Sequence, residues 1–326
     1  MGPSRDVRII PNPAEHRVSL SGALHGARFP LLVAVVLVPL LVQSEHIASV
    51  ERTAALYSVL ALGYAVVLGL CGQFTLAHAA LYGVGAYTVA ILTTVAGVNP
   101  WWTLPIALLT AGLAGGVVGL TALRVSGDRL VIVTLALGQL AQLIMLGWTP
   151  VTGGYGGITN IPPLTVAGHD LIDERALATV AAVMAVVGLL AFVRIRDSKL
   201  GLAFQSIRED EVLAASNGVS VGRHKVIAFA IAGVFTGAAG WIEATALGAV
   251  SPTAFDVVFS VLIATMVLIA GYGRSYAVLA AAAFVAVSQD ALDGLPVIEV
   301  GMIGALIVVI VLLRTRGLPR RWQPAT

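Results

Sequence analysis

GLCGQFTLAHAALYGVGAY, residues 69–87, breaks into a chain that is almost purely aliphatic on either side, with ALYSVLALGYAVV before it and TVAILTTVAG after. Gly72, Gln73, Thr75 and His78 form the polar insert, and Gly83 and Gly85 follow. What such an insert means depends on the solvent around it. Of the 326 residues, 58% are hydrophobic and 11% charged, and the mean hydropathy is +0.94. A soluble domain carries roughly a quarter charged residues because a globule needs a polar skin. Helix faces turned to lipid need none. The chain therefore reads as an all-α, polytopic membrane helical bundle.

Apolar runs near the roughly 20 residues that cross a bilayer fall at 29–43, 54–71, 75–97, 101–123, 129–148, 175–193, 225–248, 255–272, 275–290 and 296–313, ten in all. They do not alternate, so they are not barrel strands. Residues 1–28, with Arg5, Arg8, Arg17 and Arg28, form a polar cytoplasmic tail. Residues 29–43 read as a retained first span rather than a cleaved signal; 29–313 is the transmembrane domain, and 314–326 a second cytoplasmic tail. With the N-terminus inside, ten crossings place every Lys and Arg except Arg52 and Arg175 on the inner side. The positive-inside rule then puts both termini in the cytoplasm. Trp101, Trp102 and Trp148 mark the outer interface, where indole rings prefer to sit. Gly112-x-x-x-Gly116, Gly115-x-x-x-Gly119 and Gly233-x-x-x-Gly237 are spacings that let helices touch closely.

The sequence carries no catalytic engine. It has no phosphate loop and no Gly-Lys pair, no H-E-x-x-H, no Cys/His cluster and no G-x-S-x-G. Cys71 is the one cysteine and lies in an apolar run, which excludes an internal disulfide. Energy for uphill movement would come from an ion gradient or from another subunit. The longest inner segment, RIRDSKLGLAFQSIREDEVLAASNGVSVGRHK (194–225), contains Ser206-x-x-Glu209 in a capping-box pattern. Glu209, Asp210 and Glu211 stand where a helix dipole favours them, and Asn217-Gly218 supplies a left-handed stop. The pattern predicts a helix over 207–217, about 16 Å long. Such a helix either plugs a groove on a cytosolic partner or lies on the membrane surface.

The insert at 69–87 has two readings. It is a tight cytoplasmic hairpin between the second and third spans, or a break inside the bundle whose freed backbone lines a solute route. In the second reading Gln73, Thr75, His78 and Tyr82 line a translocation path, with His78 and Tyr82 one turn apart on one face. Gly83 and Gly85 then let a helix or the solute approach. His78 reads as a neutral hydrogen-bonding residue rather than a proton relay, and Glu243 as close enough to the outer end to reach the interface. In the outer segment 149–173, Gly153, Gly154, Gly156 and Gly157 flank Tyr155. They dock an external binding protein or serve as a connector rich in turn formers.

Several strings act as an ensemble: GLCGQFTLAHAALYGVGAYTVAIL (69–92), LVIVTLALGQLAQLI (130–144) with TGGYGGITNIPP (152–163), SKLGLAFQSIREDEVLAASNGVSVGRHKVIAFAIAGVFTGAAG (198–240), GAVSPTAF (248–255) and IAGYGRSYAV (269–278). In this order, over about 54–313, the chain resembles permease subunits of branched-chain amino acid ABC transporters, the LivM type. The resemblance implies a multi-pass protein of the bacterial cytoplasmic (inner) membrane. Its partners would be a second related permease, two ATP-binding cassette subunits, an extracytoplasmic substrate-binding protein and membrane lipid, with no nucleic acid. No cofactor or metal would be bound by this chain, ATP and magnesium being used by the partner subunits. Residues 194–225 become the coupling segment, with Ser206, Arg208, Glu209, Asp210, Glu211 and Gly218 carrying it. The expected cargo is leucine, isoleucine or valine, with urea, short amides or small aromatic acids as alternatives. A reading from another class, an ion-coupled secondary transporter or channel, requires essential intramembrane ionisable groups, here His78 and Glu243.

Overall fold

The computed structural model describes residues 44–166 and 169–292. Eight of the ten apolar runs fall within them, and each forms a helix; 29–43 and 296–313, like both tails, lie outside the described residues. In chain order the helices are α1 (Glu45–Tyr64), α2 (His78–Thr94), α3 (Pro100–Thr121), α4 (Asp128–Gly147), the single turn α5 (Thr149–Thr152), α6 (Glu174–Arg196), α7 (Lys199–Glu209), α8 (Glu211–Ser216), α9 (Val221–Leu247), α10 (Val257–Ala270) and α11 (Ser275–Ala291). A π-helical stretch, Ala65–Leu70, prolongs α1. Four two-residue strands depart from a purely helical bundle. β1 (Ile158–Thr159) pairs antiparallel with β4 (Ala249–Val250), and β2 (Thr165–Val166) with β3 (His169–Asp170). Among the described residues five helices are long and apolar enough to cross a membrane: α1 with its π-helical extension, α3, α4, α6 and α9.

Contacts at the helix ends fix their directions. Arg208 reaches Gly69 at the end of α1, and Arg196 at the end of α6 reaches Ser275 at the start of α11. Arg52 near the start of α1 meets Glu174 at the start of α6, and Tyr57 meets Gln289 near the end of α11. The bundle thus has a basic end, holding the 194–225 segment, and an opposite end, holding residues 149–173 and the strands.

α1 and α9 form the centre. The reason lies in glycine on α9 and its neighbours. A methyl group placed on Gly237 would lie 3.0 Å from the Ala107 carbonyl carbon and 3.0 Å from the Ala111 methyl on α3. One placed on Gly85 of α2 would lie 2.7 Å from the Gly237 Cα, and one on Gly240 2.7 Å from the Tyr82 carbonyl oxygen. α9 is therefore clasped on two sides at backbone distance, as small-residue spacing permits. The outward faces are aliphatic: Leu109, Leu113 and Val117 on α3, Ile132, Leu140 and Leu143 on α4, and Val187 and Leu190 on α6 are exposed, a surface suited to lipid rather than water.

Two of the boundaries that differ from the expected runs bear on the site. α1 starts at Glu45 rather than near residue 54 because the helix carries Arg52 inside it. The Arg52 side chain is only 10% exposed, and its Nε donates to Glu174 Oε2 at 3.1 Å, so the charge does not end the helix. α2 starts at His78, not at residue 75, for reasons given below.

Gly115 and Gly116 are adjacent, yet their surroundings are opposite. A methyl on Gly115 would lie 3.1 Å from the Phe229 carbonyl carbon, whereas one on Gly116 finds only Ala230 Cβ, at 3.8 Å. Gly115→Ala and Gly237→Ala are expected to destabilise the detergent-solubilised protein by about 1–3 kcal/mol through overpacking. Gly116→Ala is expected to be neutral or to stabilise it by up to about 1 kcal/mol through helix propensity. Thermal unfolding of the three variants reads the difference; equal shifts would show that α3 and α9 are not in backbone contact.

Candidate translocation and coupling site

Residues 71–77 are a re-entrant break rather than a solvent-facing hairpin: Gly72 at the turn is exposed, Phe74 and Leu76 are half-buried, and the rest are buried. After the π-helical turn, in which the Cys71 amide donates to the Val66 carbonyl, Gly72 takes a positive φ of 73° and the chain reverses. It then runs back along α1: the Gln73 amide donates to Val67 O, Tyr64 Oη donates to Thr75 O, and His78 Nε2 lies 3.3 Å from Leu60 O. Leu60 stands ten residues before Leu70, about 15 Å up the helix. α2 therefore begins deep in the bundle, with Gln73, Thr75 and His78 all buried.

Non-helical backbone at such depth needs partners from the protein itself. Three helices supply them. Tyr64 of α1 serves Thr75 O at 2.9 Å, Thr134 Oγ1 of α4 accepts from the Leu76 amide at 3.1 Å, and Ser260 Oγ of α10 accepts from the Ala79 amide at 2.9 Å. Thr134 and Ser260 have no exposed surface. Gly138 of α4 provides the notch in which the break lies, since a methyl there would come within 3.1 Å of Leu76 O. None of these three supporting residues stood out in the sequence. The signal available was a lone hydroxyl within an otherwise aliphatic run.

The basic end corrects the expected coupling helix. Ser206 is not a cap; it lies inside α7, and its hydroxyl donates to Leu202 O. The cap is Ser198, whose Oγ accepts from the Gly201 amide at 3.3 Å. The helix predicted over 207–217 is instead two, because Asp210 takes an extended backbone (φ −160°, ψ 113°) and caps α8 through its carboxylate, which accepts from the Val212 and Leu213 amides. Gly218 ends α8 with a φ of 84°, the left-handed stop expected of it.

The charged residues of this segment divide by direction. Glu209 and Asp210 are exposed, as are Leu202, Val212 and Leu213. Arg208 turns inward: its Nη1 donates to Gly69 O at 2.6 Å, its guanidinium lies 5.4 Å from the Tyr272 ring centroid, and its stem covers the side of Gly72 where a side chain would stand. Glu211 turns inward too. Its Oε1 accepts from Lys225 Nζ at 2.7 Å and from Gln73 Nε2 at 3.1 Å. Gln73 and Arg208 thus tie the α7–α8 pair to the break.

Farther along α2, Tyr82 separates from His78 in role. The His78 ring packs edge-on against Tyr64, while Tyr82 stacks on Phe259 and lines the same cavity as Glu243. Gly83 admits Phe255 and Gly85 admits Gly237, so both are places of close packing. Glu243 faces neither lipid nor the interface but a cavity of about 400 Å³ at the opposite end, which Arg52, Tyr57, Tyr82 and Phe259 also line. A smaller cavity of about 230 Å³ adjoins it through Glu243, Leu247 and Ala254, and Gly156 lines its rim. Gly153, Gly154 and Gly157 all hold positive φ, and Tyr155 between them is 79% exposed.

Comparison with known proteins fits this geometry. Residues 46–312 match the family described as the permease component of the branched-chain amino acid transport system. The high-affinity branched-chain amino acid transport system permease protein LivM of Escherichia coli (strain K12) is 34% identical over 317 residues, covering 90% of this chain and 74% of that one. LivH, the permease protein of the same name in that strain, is 25% identical, covering 60% of this chain and 68% of its own. The ribose import permease protein RbsC of Haemophilus influenzae is 22% identical over 76% and 77%. No solved structure matches.

Direction of the side chains separates Glu211 from Glu209. Glu211→Lys sets two ammonium groups against each other beside Gln73, and a loss of about 1–2 kcal/mol is expected. That is less than the roughly 3–5 kcal/mol of a fully buried pair, because the Glu211 side chain is 37% exposed and solvent screens it. The double change Glu211→Lys with Lys225→Glu should restore stability, and Glu209→Lys should leave it unchanged. Thermal unfolding of the four proteins checks this; no rescue by the swap would deny the pair.

Proposed function

Since the chain belongs to the permease-component family of branched-chain amino acid transport systems, we propose that it forms one half of the translocation path of an ABC importer for leucine, isoleucine and valine. It is an integral membrane protein and a transporter component rather than an enzyme. On this reading it crosses the inner membrane ten times with both termini cytoplasmic. It pairs with a second, related permease, and two ATP-hydrolysing subunits supply the energy, so that ATP and magnesium act on them and not on this chain. The basic end faces the cytosol and the opposite end an external binding protein, with Tyr155 and the glycines at 153, 154, 156 and 157 as its landing.

The observation that carries the reading is the two-faced character of α7–α8. Val212, 80% exposed, and Leu213 and Leu202 are turned outward on the same helix pair as the exposed Glu209 and Asp210, apolar side chains among charged ones and suited to a groove on an ATPase subunit. The other face holds Arg208 and Glu211, which grip Gly69, Gln73 and Lys225. Motion imposed from outside is thereby delivered to the end of α1, the break and the start of α9. Within this scheme Ser206 and Gly218 shape the coupling pair, Gln73, Thr75 and His78 hold the break, Gly83 and Gly85 pack α2 against its neighbours, and Tyr82 stands on the path.

The experiment is reconstitution of the complete transporter in vesicles, with and without Val212→Asp and Leu213→Asp together. These exposed positions tolerate charge, so the chain should fold and insert. ATP-driven leucine uptake should fall at least tenfold, and the ATPase subunits should no longer co-purify. Undiminished uptake, or concentrative uptake by this chain without ATPase subunits, would overturn the reading.

A further inference from the structure

We propose that the double cavity at the opposite end is a binding station for a zwitterionic amino acid, in which Glu243 takes the ammonium group and Arg52 the carboxylate. The inference rests on the cargo class proposed above and assigns it a place in this chain.

Three observations carry it. The first is charge. Glu243 sits on a membrane helix facing the larger cavity; among the described residues no cation is in contact with it, and the Arg52 guanidinium acts on it only from farther along the same cavity. A carboxylate in that position is costly unless a cation joins it. The second is the guanidinium. Arg52 lines the same cavity, and Glu174 engages its Nε, so among the described residues the Nη1–Nη2 edge is left for a second carboxylate. That fork is the geometry that binds a carboxylate with two parallel hydrogen bonds. The third is shape. Leu56, Leu247, Tyr57 and the Phe259 ring line the same cavity, an apolar wall of the kind that receives an aliphatic side chain. The volume, about 400 Å³ with a further 230 Å³ adjoining, falls in the range of roughly 300–1,000 Å³ typical of small-molecule sites. Opposite charges in one cavity with an apolar wall exclude urea, which has neither charge, and an aromatic acid, which leaves Glu243 unmatched.

Leu247 lines both cavities and is 55% exposed, while the native Cys71 has no exposed surface, so Leu247→Cys offers a selective probe. In the complete transporter reconstituted in vesicles, L-leucine should slow maleimide labelling of Leu247→Cys at least fivefold. Isovalerate, which lacks the ammonium group, and 3-methylbutylamine, which lacks the carboxylate, should not. Glu243→Gln in the same background should abolish protection by leucine and cut ATP-driven leucine uptake at least tenfold, as should Arg52→Gln; Arg52→Lys, which keeps the charge and spares folding, should retain part of both. If the unmodified transporter moves leucine but leucine gives no protection, or isovalerate protects equally, the station is refuted while the cargo reading stands. If the unmodified transporter moves no leucine, the cargo reading falls and takes this inference with it.

Discussion

The structure depends on one requirement, that seven residues of non-helical backbone be satisfied without water. Hydrocarbon offers no hydrogen bonds, and each unpaired peptide group there costs several kcal/mol. Residues 71–77 and the first turn of α2 meet the requirement by borrowing side chains from α1, α4 and α10. Tyr64, Thr134 and Ser260 therefore do more than cap a helix. Each fixes the position of its own helix relative to the break, so the break braces three helices that do not follow one another in sequence. Gly138 and Gly72 complete the arrangement by leaving room for the backbone and for the Arg208 stem.

The same requirement explains why α2 is short and why its first turn faces inward. The α1 helix ends in a π-helical turn, a feature often found where helices do functional work, and this turn leaves Gly69 O turned toward Arg208. A guanidinium at a helix C-terminus opposes the partial negative charge there. The link between the α7–α8 pair and the membrane core is thus electrostatic and geometric at once, and its residues are drawn from positions 69–73 and 208–225.

Much of this was legible in the sequence. Hydropathy located the eight described membrane helices because a lipid solvent leaves so few other ways to satisfy backbone, and glycine spacing marked α3 and α9 as helices that pack closely, without saying against which neighbour. The polar insert was recognisable as an interruption, but its two readings differ only in depth, and depth is decided by partners far away in the chain. Residues 207–217 misled for a local reason: Ser206 and Ser198 both precede helix-forming sequence, and Asp210 competes as a cap. Glu243 misled for a non-local one. Five residues from a helix end it looked free to reach water, yet α1 and α2 flank it there, bringing Arg52 and Tyr82 to the same cavity. No periodicity in α9 announces which helices will be its neighbours.

Helix geometry adds a last step. Lys225 and Glu243 are eighteen residues apart on α9, five full turns at 3.6 residues per turn, so they share one face about 27 Å apart. Arg52 and Gly69 are seventeen apart on α1, about 25 Å. Each charged residue of the cavity therefore rides on a rod whose far end is held by the α7–α8 pair, α9 through Lys225 to Glu211 and α1 through Gly69 to Arg208. Sliding the pair along the bundle axis would move both rods together and leave the distance between Arg52 and Glu243 unchanged. Tilting it about the extended backbone at Asp210, which separates Arg208 from Glu211, would move them unequally and change the distance between Arg52 and Glu243.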